Sequence, residues 1–507
     1  MKKQSSRKLL TSIFIVISLF AMMAFAVYFS VTIFAFTSMR LDEAQSLFQT
    51  NRDMAGVLNL VAQDVHVPLY HTLLHYWQIL FGNDIFTARI MSLVFFVLLI
   101  PAVYVLARYI YNWQVGLFAA LLVTISPFLS WYGSEARMYS LLALLTVLHQ
   151  FAFLKLFREG KSIHWILFTL TAILGIYTHY FFAFVLLCEA LFFLLYRHDF
   201  AAKKAFRKFV VSAIFVAAAL APWLYYVRQL GTASNTQPNL GEPTSVDLFN
   251  TYSQFIFGFQ VDSLNTIIVS LWPIVVLLAF FGLQRNKTIK KETIFLVLAA
   301  TIPVIAAFIV SVTIRPFYQS RYLIVALPVL LLFISWLVSI YPRTVALILR
   351  VIIVVATLGL FAIQVSSPDT PVKENYRGAI EYLSENASSK DVIIVSAPFT
   401  IYPTEYYYEG TAKVTTQPIW NRFEQGSVPA FNEQKLPDEV KQNTDSYQRA
   451  WLMLSFDQGY NEKIRQYYDT HFERTSEREF SKDLWVYSYK IRYDKPISIQ
   501  DTSAVDL

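Results

Sequence analysis

Apolar stretches of the length needed to cross a bilayer recur eleven times between residues 9 and 366, and nothing else in the sequence restricts the fold as much. They run over 9–36, 88–107, 115–131, 138–156, 163–178, 180–196, 209–227, 265–283, 293–313, 322–341 and 350–366. A helix needs about 20 apolar residues to span the hydrocarbon core. Lipid offers backbone groups no hydrogen-bond partner, so continuous runs of this kind predict helices and not open strands. Composition closes the alternative of a soluble globule. Of 507 residues 56% are hydrophobic and 15% charged, too few charges to cover a solvated surface. The single cysteine, Cys188, lies within an apolar run, which rules out a disulfide framework and predicts a packing residue. The first stretch follows Lys2, Lys3, Arg7 and Lys8 but is too long for a secretory signal and lacks a small-residue cleavage site, so it is expected to stay attached.

Basic residues set an expected orientation. With the N-terminus in the cytoplasm, nineteen Lys and Arg between residues 2 and 350 fall in cytoplasmic segments. Seven fall outside before the tail: Arg40, Arg52, Arg89, Arg137, Arg228, Arg315 and Arg321. The asymmetry favours an N-in topology, and an odd number of spans places the C-terminus outside. A net charge of +7 arranged in short loops reads as topology and not as a nucleic-acid-binding face. The expected organisation is a mostly α bundle over 1–366 with outer loops at 37–87 and 228–264. An extracytoplasmic α/β domain is expected over 367–495, and a tail over 496–507. Within the first outer loop, Leu69 to Phe81 reads as an interfacial helix with its Tyr and Trp at headgroup level. In the last domain "KENYRGAIEYLSENA" reads as helix, "DVIIVSA", "RAWLMLSF" and "LWVYSYKI" as strands, and "YPTEYYYEG" as the opening of another helix.

All seven outer cations are Arg. A guanidinium never loses its charge and grips phosphate through two parallel hydrogen bonds, which suggests an outer site for a phosphate-bearing lipid. Snorkelling and pairing with Asp or Glu are the ordinary alternatives. Five groups of residues are expected on that outer side. "RLDEAQ" places Asp42 and Glu43 after the first span, where a partly desolvated carboxylate could act as general base; a favourable helix N-terminus explains the same pair. "QDVHVPLYH" supplies Asp64, His66, Tyr70 and His71 around Pro68, either a sugar or phosphate pocket or a polar loop, and no third ligand stands at a metal-binding spacing. "SWYGSEARMYSLL" brings Glu135, Arg137 and Tyr139 to the start of a span, as a functional group or as a structural ion pair. "YTHYFF" contributes His179 and Tyr180, and "RPFYQSRYLIVALP" contributes Arg315, Arg321 and Tyr322.

In this order the groups resemble the membrane glycosyltransferases of the GT-C fold, specifically glycosyltransferase family 39 and its relatives, which include protein O-mannosyltransferases and the lipid A aminoarabinose transferase. The resemblance runs through "DE", "HVPLYHTLL", "FGNDIFTARIMSLVF", "YVLARYIYNWQVGLFAALLVTISPFLSWYGSEARMYSLL", "THYF" and "SRYLIVALP". Val67 departs from the family's usual pair of prolines after the His-like position. The resemblance implies transfer of a monosaccharide from a polyprenyl-phosphate donor to an acceptor protein, lipid or envelope glycan at the outer face. Asp42 would be the base with Glu43 beside it. Arg137, then Arg321, then Arg89 would stabilise the donor phosphate, and Asp64, His66, Glu135, Tyr139, His179, Tyr180 and Tyr322 would contact substrate. It implies no required cofactor, with room for a loosely held divalent metal at Asp42. A bacterial plasma membrane is expected over an endoplasmic reticulum, given the short tail and the absence of a retrieval motif. A transporter or lipid flippase, or a receptor or scaffold of envelope assembly, would keep the topology without needing a base at Asp42; no repeat of two related halves, common in transporters, is evident.

Overall fold

The computed structural model describes residues 2–64, 66–197, 203–230, 241–270, 272–285, 289–367, 374–422 and 428–491. The expected tail, 496–507, and residues 231–240 of the second outer loop lie outside them. Contacts divide the chain into two units, Met1–Thr37 with Ser46–Val372, and Ser38–Gln45 with Lys373–Leu507. The division differs from a single boundary near 366: eight residues of the first outer loop fold with the C-terminal unit.

Helix α1 (Lys2–Phe36) of the first unit is followed by three helices in the expected outer loop, α2 (Leu41–Thr50), whose residues up to Gln45 belong to the second unit, α3 (Met54–Gln63) and α4 (Pro68–Phe81). Next come α5 (Ile85–Ile110), α6 (Trp113–Ile125), α7 (Pro127–Gly133), α8 (Tyr139–Glu159), α9 (Ser162–Thr178), α10 (Phe182–Leu195) and α11 (Lys203–Leu230). The series closes with α12 (Ser245–Phe257), α13 (Asp262–Ser270), α14 (Trp272–Arg285), α15 (Lys291–Thr313), α16 (Leu327–Ser339) and α17 (Arg343–Ser366). All eleven apolar stretches fall on helices. Among the described residues eight spans are long and apolar enough to cross a membrane, and α6 with α7, bent by 62°, makes a ninth if the pair is one span. The remaining two stretches form α9 and α10, which are apolar but shorter. The break in the α6–α7 pair has a local cause. Pro127 has no N–H to continue the helix, and the Ser126 hydroxyl accepts the Leu129 N–H at 3.3 Å to start a new one.

Burial ranks the helices. Within their most apolar windows α8 is 83% buried, whereas α1, α11 and α17 are each 11% buried. Helix α8 is therefore the centre of the bundle, and the Leu, Ile and Phe exposed along the outer helices face the place of lipid tails. Three central helices are tied by polar groups: His149 of α8 meets Thr171 Oγ1 of α9 at 2.9 Å and Glu189 Oε2 of α10 at 2.8 Å. Helix α4 confirms the amphipathic helix expected from Leu69 onward. Tyr70, His71, Leu74 and Gln78 are buried, and Tyr76, Ile79, Leu80 and Phe81 are exposed.

The second unit is a two-faced α/β layer. Strands β1 (Asp391–Ser396), β2 (Lys413–Thr416), β3 (Arg449–Leu454), β4 (Glu473–Ser481) and β5 (Leu484–Lys490) lie in the order β2-β1-β3-β5-β4. The β2, β1 and β3 strands run parallel; β5 is antiparallel to β3 and β4 to β5. Every residue of β1 is buried, as an apolar central strand covered on both faces must be. Ile393, Val395, Trp451 and Met453 pack with α18 (Tyr376–Asn386) and with Ile401 of α19 (Ile401–Tyr407) on one face. Val392, Ile394, Ala450 and Leu452 pack with α20 (Leu436–Thr444) and α21 (Asn461–His471) on the other.

Candidate active site

The polar centre of the first unit is assembled by local chain chemistry. A proline disfavours the helical conformation in the residue before it and is well suited to the first helical position. Val67 is accordingly extended, at φ −117° and ψ 152°, and Pro68 opens α4. This turn leaves His66 just outside the helix and places His71 on its buried face. The imidazoles of His66 and His71 stack with centroids 5.5 Å apart and planes inclined by 24°. Asp64 caps the end of α3; its Oδ2 accepts from Gln49 Nε2 of α2 at 2.9 Å and lies 3.7 Å from His66 Nε2.

Arg137 comes from the turn between α7 and α8. At Gly133 a Cβ would meet the Phe96 ring at 2.6 Å, so the chain passes α5 as only glycine permits. The turn is fixed further by α5, whose Ser92 hydroxyl donates to the Arg137 carbonyl at 3.2 Å and whose Ser92 carbonyl accepts the Ser140 hydroxyl at 2.9 Å. Held there and buried, the guanidinium donates to Ser46 Oγ of α2 at 2.8 Å and to His66 Nε2 at 2.8 Å. A guanidinium only donates, so His66 Nε2 accepts and the ring proton sits on Nδ1. Glu135 is buried in the same turn.

An aromatic wall adjoins this cation. His179 ends α9 in extended backbone, and its ring lies 5.1 Å from Tyr322. Tyr322 lies 6.5 Å from Tyr139, and Tyr139 lies 4.9 Å from Tyr132. The Arg321 guanidinium sits 5.4 Å over the Tyr322 ring. The His179 pKa is pushed down to about 3, first by burial and then by the positive charges of Arg137 and Arg321. Its Nδ1 accepts the Phe181 N–H at 3.1 Å, leaving Nε2–H as a donor. His71 is also held neutral, its pKa driven well below the ordinary imidazole value by burial and then by His66 and Arg137, with Asp64 and the neighbouring Val67 backbone opposing. Neither ring nitrogen of His71 has a hydrogen-bond partner among the described residues.

Arg89 and Tyr180, also expected at the site, have partners on α1 and α11. Arg89 donates to the carbonyls of Phe34 and Thr37 at 3.3 and 3.1 Å and to Thr37 Oγ1 at 3.2 Å, the pattern of a cation capping the last turn of α1. Tyr180 packs towards α11, where its hydroxyl accepts from Trp223 Nε1 at 3.0 Å. Asp42 and Glu43 belong to the second unit, in the first turn of α2. Glu43 is buried and accepts the Arg40 N–H at 2.9 Å, half of a capping box, while Asp42 is half-buried. Ser46 and Gln49 are polar partners that the sequence reading passed over. Their positions 4 and 7 residues after Asp42, the repeat of one helix face, were the available signal. Among the described residues no three His, Cys, Asp or Glu side chains gather as a metal site.

Comparison with known proteins gives this geometry a context. Residues 65–226 match the family model of dolichyl-phosphate-mannose-protein mannosyltransferase. No curated protein matches the sequence. Among solved structures, apo ArnT from Cupriavidus metallidurans superposes with a TM-score of 0.63 at 11% identity, over 92% of this chain and 97% of that one. The same protein bound to undecaprenyl phosphate gives 0.60 at 11% identity, over 93% and 97%. The apo oligosaccharyltransferase of Archaeoglobus fulgidus gives 0.53 at 12% identity, over 96% of this chain and 75% of that one.

Proposed function

We propose that this chain, a multi-pass membrane protein with the GT-C glycosyltransferase fold, moves a monosaccharide from a polyprenyl-phosphate carrier to an acceptor hydroxyl on the outer face of the membrane. The observation that supports it most is the pair of permanent cations, Arg137 buried and Arg321 half-buried, beside a His179 that burial first and then their charge hold neutral. Positive charge without competing imidazolium groups suits a phosphate. The solved complex of the Cupriavidus ArnT with undecaprenyl phosphate adds a lipid of the right class.

In this reading the acceptor oxygen attacks the anomeric carbon from the face opposite the phosphate, inverting it, as the bond to the phosphate oxygen breaks. Asp42, the acidic residue that the family resemblance makes the base, takes the acceptor proton, with Glu43 beside it as the cap of α2. Arg137 and Arg321 stabilise the negative charge that grows on the departing phosphate, and His179 Nε2–H donates to it. His66 and Asp64 orient Arg137, and His71 turns its ring nitrogens to the substrate. Tyr139 and Tyr322 form the wall against which the sugar lies, with Glu135 beside them. Arg89 acts one step removed, by fixing the end of α1. The acceptor is a protein, a lipid or an envelope glycan. The basic-residue asymmetry supports an inner-membrane protein with a cytoplasmic N-terminus.

The test is lipid mass spectrometry of cells lacking the protein, re-expressing either wild type or Asp42→Asn at matched membrane levels. A polyprenyl-phosphate monosaccharide should accumulate in the null and with Asp42→Asn, and clear with wild type. An unchanged lipid profile, or clearance by Asp42→Asn, would refute the mechanism.

A further inference from the structure

The residues that carry Asp42 are few, and they are tied to the C-terminal unit by polar contacts from three directions. The Met39 N–H donates to the Tyr407 hydroxyl at 2.8 Å. The Arg377 N–H donates to Ser38 Oγ at 2.9 Å. Arg40 Nε stands 3.9 Å from Glu374 Oε2. Met39 is fully buried.

These contacts come from rigid parts of the fold. Tyr407 ends α19, and the Arg377 guanidinium lies 5.6 Å over its ring. Arg377 stands in the first turn of α18, which is capped by Asn375 through the Gly378 N–H at 3.1 Å. Its neighbour Tyr376 is fully buried, and the Tyr376 hydroxyl meets Ser455 Oγ at 2.8 Å just beyond β3. The sequence of support thus runs from the central sheet through Tyr376 and α18 to Ser38 and Met39. The Glu374 carboxyl is pushed up mainly by burial and also by Asp42 and Glu43, with Arg40 opposing.

We propose that the C-terminal α/β unit is the positioning element of the base, with Tyr407, Glu374 and the start of α18 holding residues 38–45 and, through them, Asp42. The inference rests on Asp42 being the base. A catalytic carboxylate must be held to within a fraction of an ångström, and small misplacement costs rate more than binding. The domain then has a catalytic reason to accompany the membrane helices, and its effect should appear in turnover with lipid affinity untouched.

The test uses the full chain in nanodiscs with Tyr407→Phe, which removes the acceptor of the Met39 N–H, and Glu374→Gln, which keeps shape and removes charge. Three readouts are compared with wild type and Asp42→Asn: hydrogen exchange of peptides covering 38–45, binding of undecaprenyl phosphate, and clearance of the accumulated lipid in cells. Both variants should exchange faster in that segment and bind undecaprenyl phosphate as wild type does. Both should clear lipid about ten- to a hundredfold more slowly. Unchanged exchange and clearance, with Asp42→Asn inactive, would overturn the positioning role and leave the base assignment standing. Loss of undecaprenyl phosphate binding along with turnover would mean general disruption and would also overturn it. If Asp42→Asn itself clears the lipid, the base assignment fails, whatever Tyr407→Phe does.

Discussion

Two groups of buried histidine in the first unit illustrate opposite uses of a polar side chain. His149 lies in the middle of the helix bundle with both ring nitrogens engaged, Nδ1 with Thr171 and Nε2 with Glu189, and its ring stacks 4.6 Å from Phe168. His71 lies beside Arg137 and His66, equally buried, and has no partner for either nitrogen among the described residues. A satisfied polar group inside a protein contributes to holding neighbours together; an unsatisfied one costs stability and persists where something else requires it. The His149 ring is thus a clamp on α8, α9 and α10, with only Glu189 Oε1 left without a hydrogen-bond partner among the described residues, whereas the His71 ring belongs to the proposed binding centre.

The sharpest way to break the contrast is at Arg137, which the binding centre cannot lose. Arg137→Ala should lower turnover about 100- to 1,000-fold, the scale of one preorganised charge stabiliser. Arg137→Lys should recover little, because an ammonium cannot serve Ser46, His66 and a phosphate from one planar fork. Undecaprenyl phosphate binding should weaken in both, and wild-type clearance of the lipid by either variant would remove Arg137 from the mechanism.

The clamp should answer differently. Glu189→Leu leaves His149 Nε2 without its partner in an apolar surrounding and should cost ~1–2 kcal/mol, the range of interhelical hydrogen bonds in membranes. Adding His149→Phe should return much of that loss, since both polar partners are then gone. Turnover per folded molecule should hold throughout. Thermal unfolding in nanodiscs reads the first effect and lipid clearance at matched levels the second; a loss of turnover with stability unchanged would move this pair into the catalytic machinery.

How far the sequence carries such distinctions depends on the range of the physics involved. The apolar runs announce the helices because length and hydropathy are local, and β1, β3 and β5 are legible for the same reason. Strand β4 is not: Glu473–Ser481 is mostly exposed and highly charged, as a protected sheet edge is, and shows no apolar period. The break at Pro127 within an expected single span is readable only once a proline is taken as a terminator. Among the candidate residues, Asp64, His66 and Arg137 meet, as do Tyr139, His179 and Tyr322. The capping bond from the Arg40 N–H to Glu43 and the occupation of Arg89 at the end of α1 are seen only in the fold. Assignment of 38–45 to the C-terminal unit depends on pairs more than 300 residues apart, such as Met39 with Tyr407. The His149–Glu189 pair links polar residues of two separate apolar runs, 40 positions apart, and nothing local joins them.

The smallest expected effect is also the most discriminating for the binding centre. His71→Phe replaces one flat ring by another of similar size, so the stack on His66 and the packing of the buried face of α4, which also carries Tyr70 and Leu74, have a close substitute. The substitution removes two buried nitrogens that no described residue satisfies, which in isolation should leave stability unchanged or raise it slightly. If those nitrogens serve the substrate, undecaprenyl phosphate affinity or turnover should fall about tenfold, near 1.4 kcal/mol. The two measurements therefore move in opposite directions, and a structural histidine cannot produce that pattern: it would lose stability and keep function, as Glu189→Leu should. Reduced melting temperature with full lipid clearance in His71→Phe would place His71 with His149 and erase the difference between the two groups.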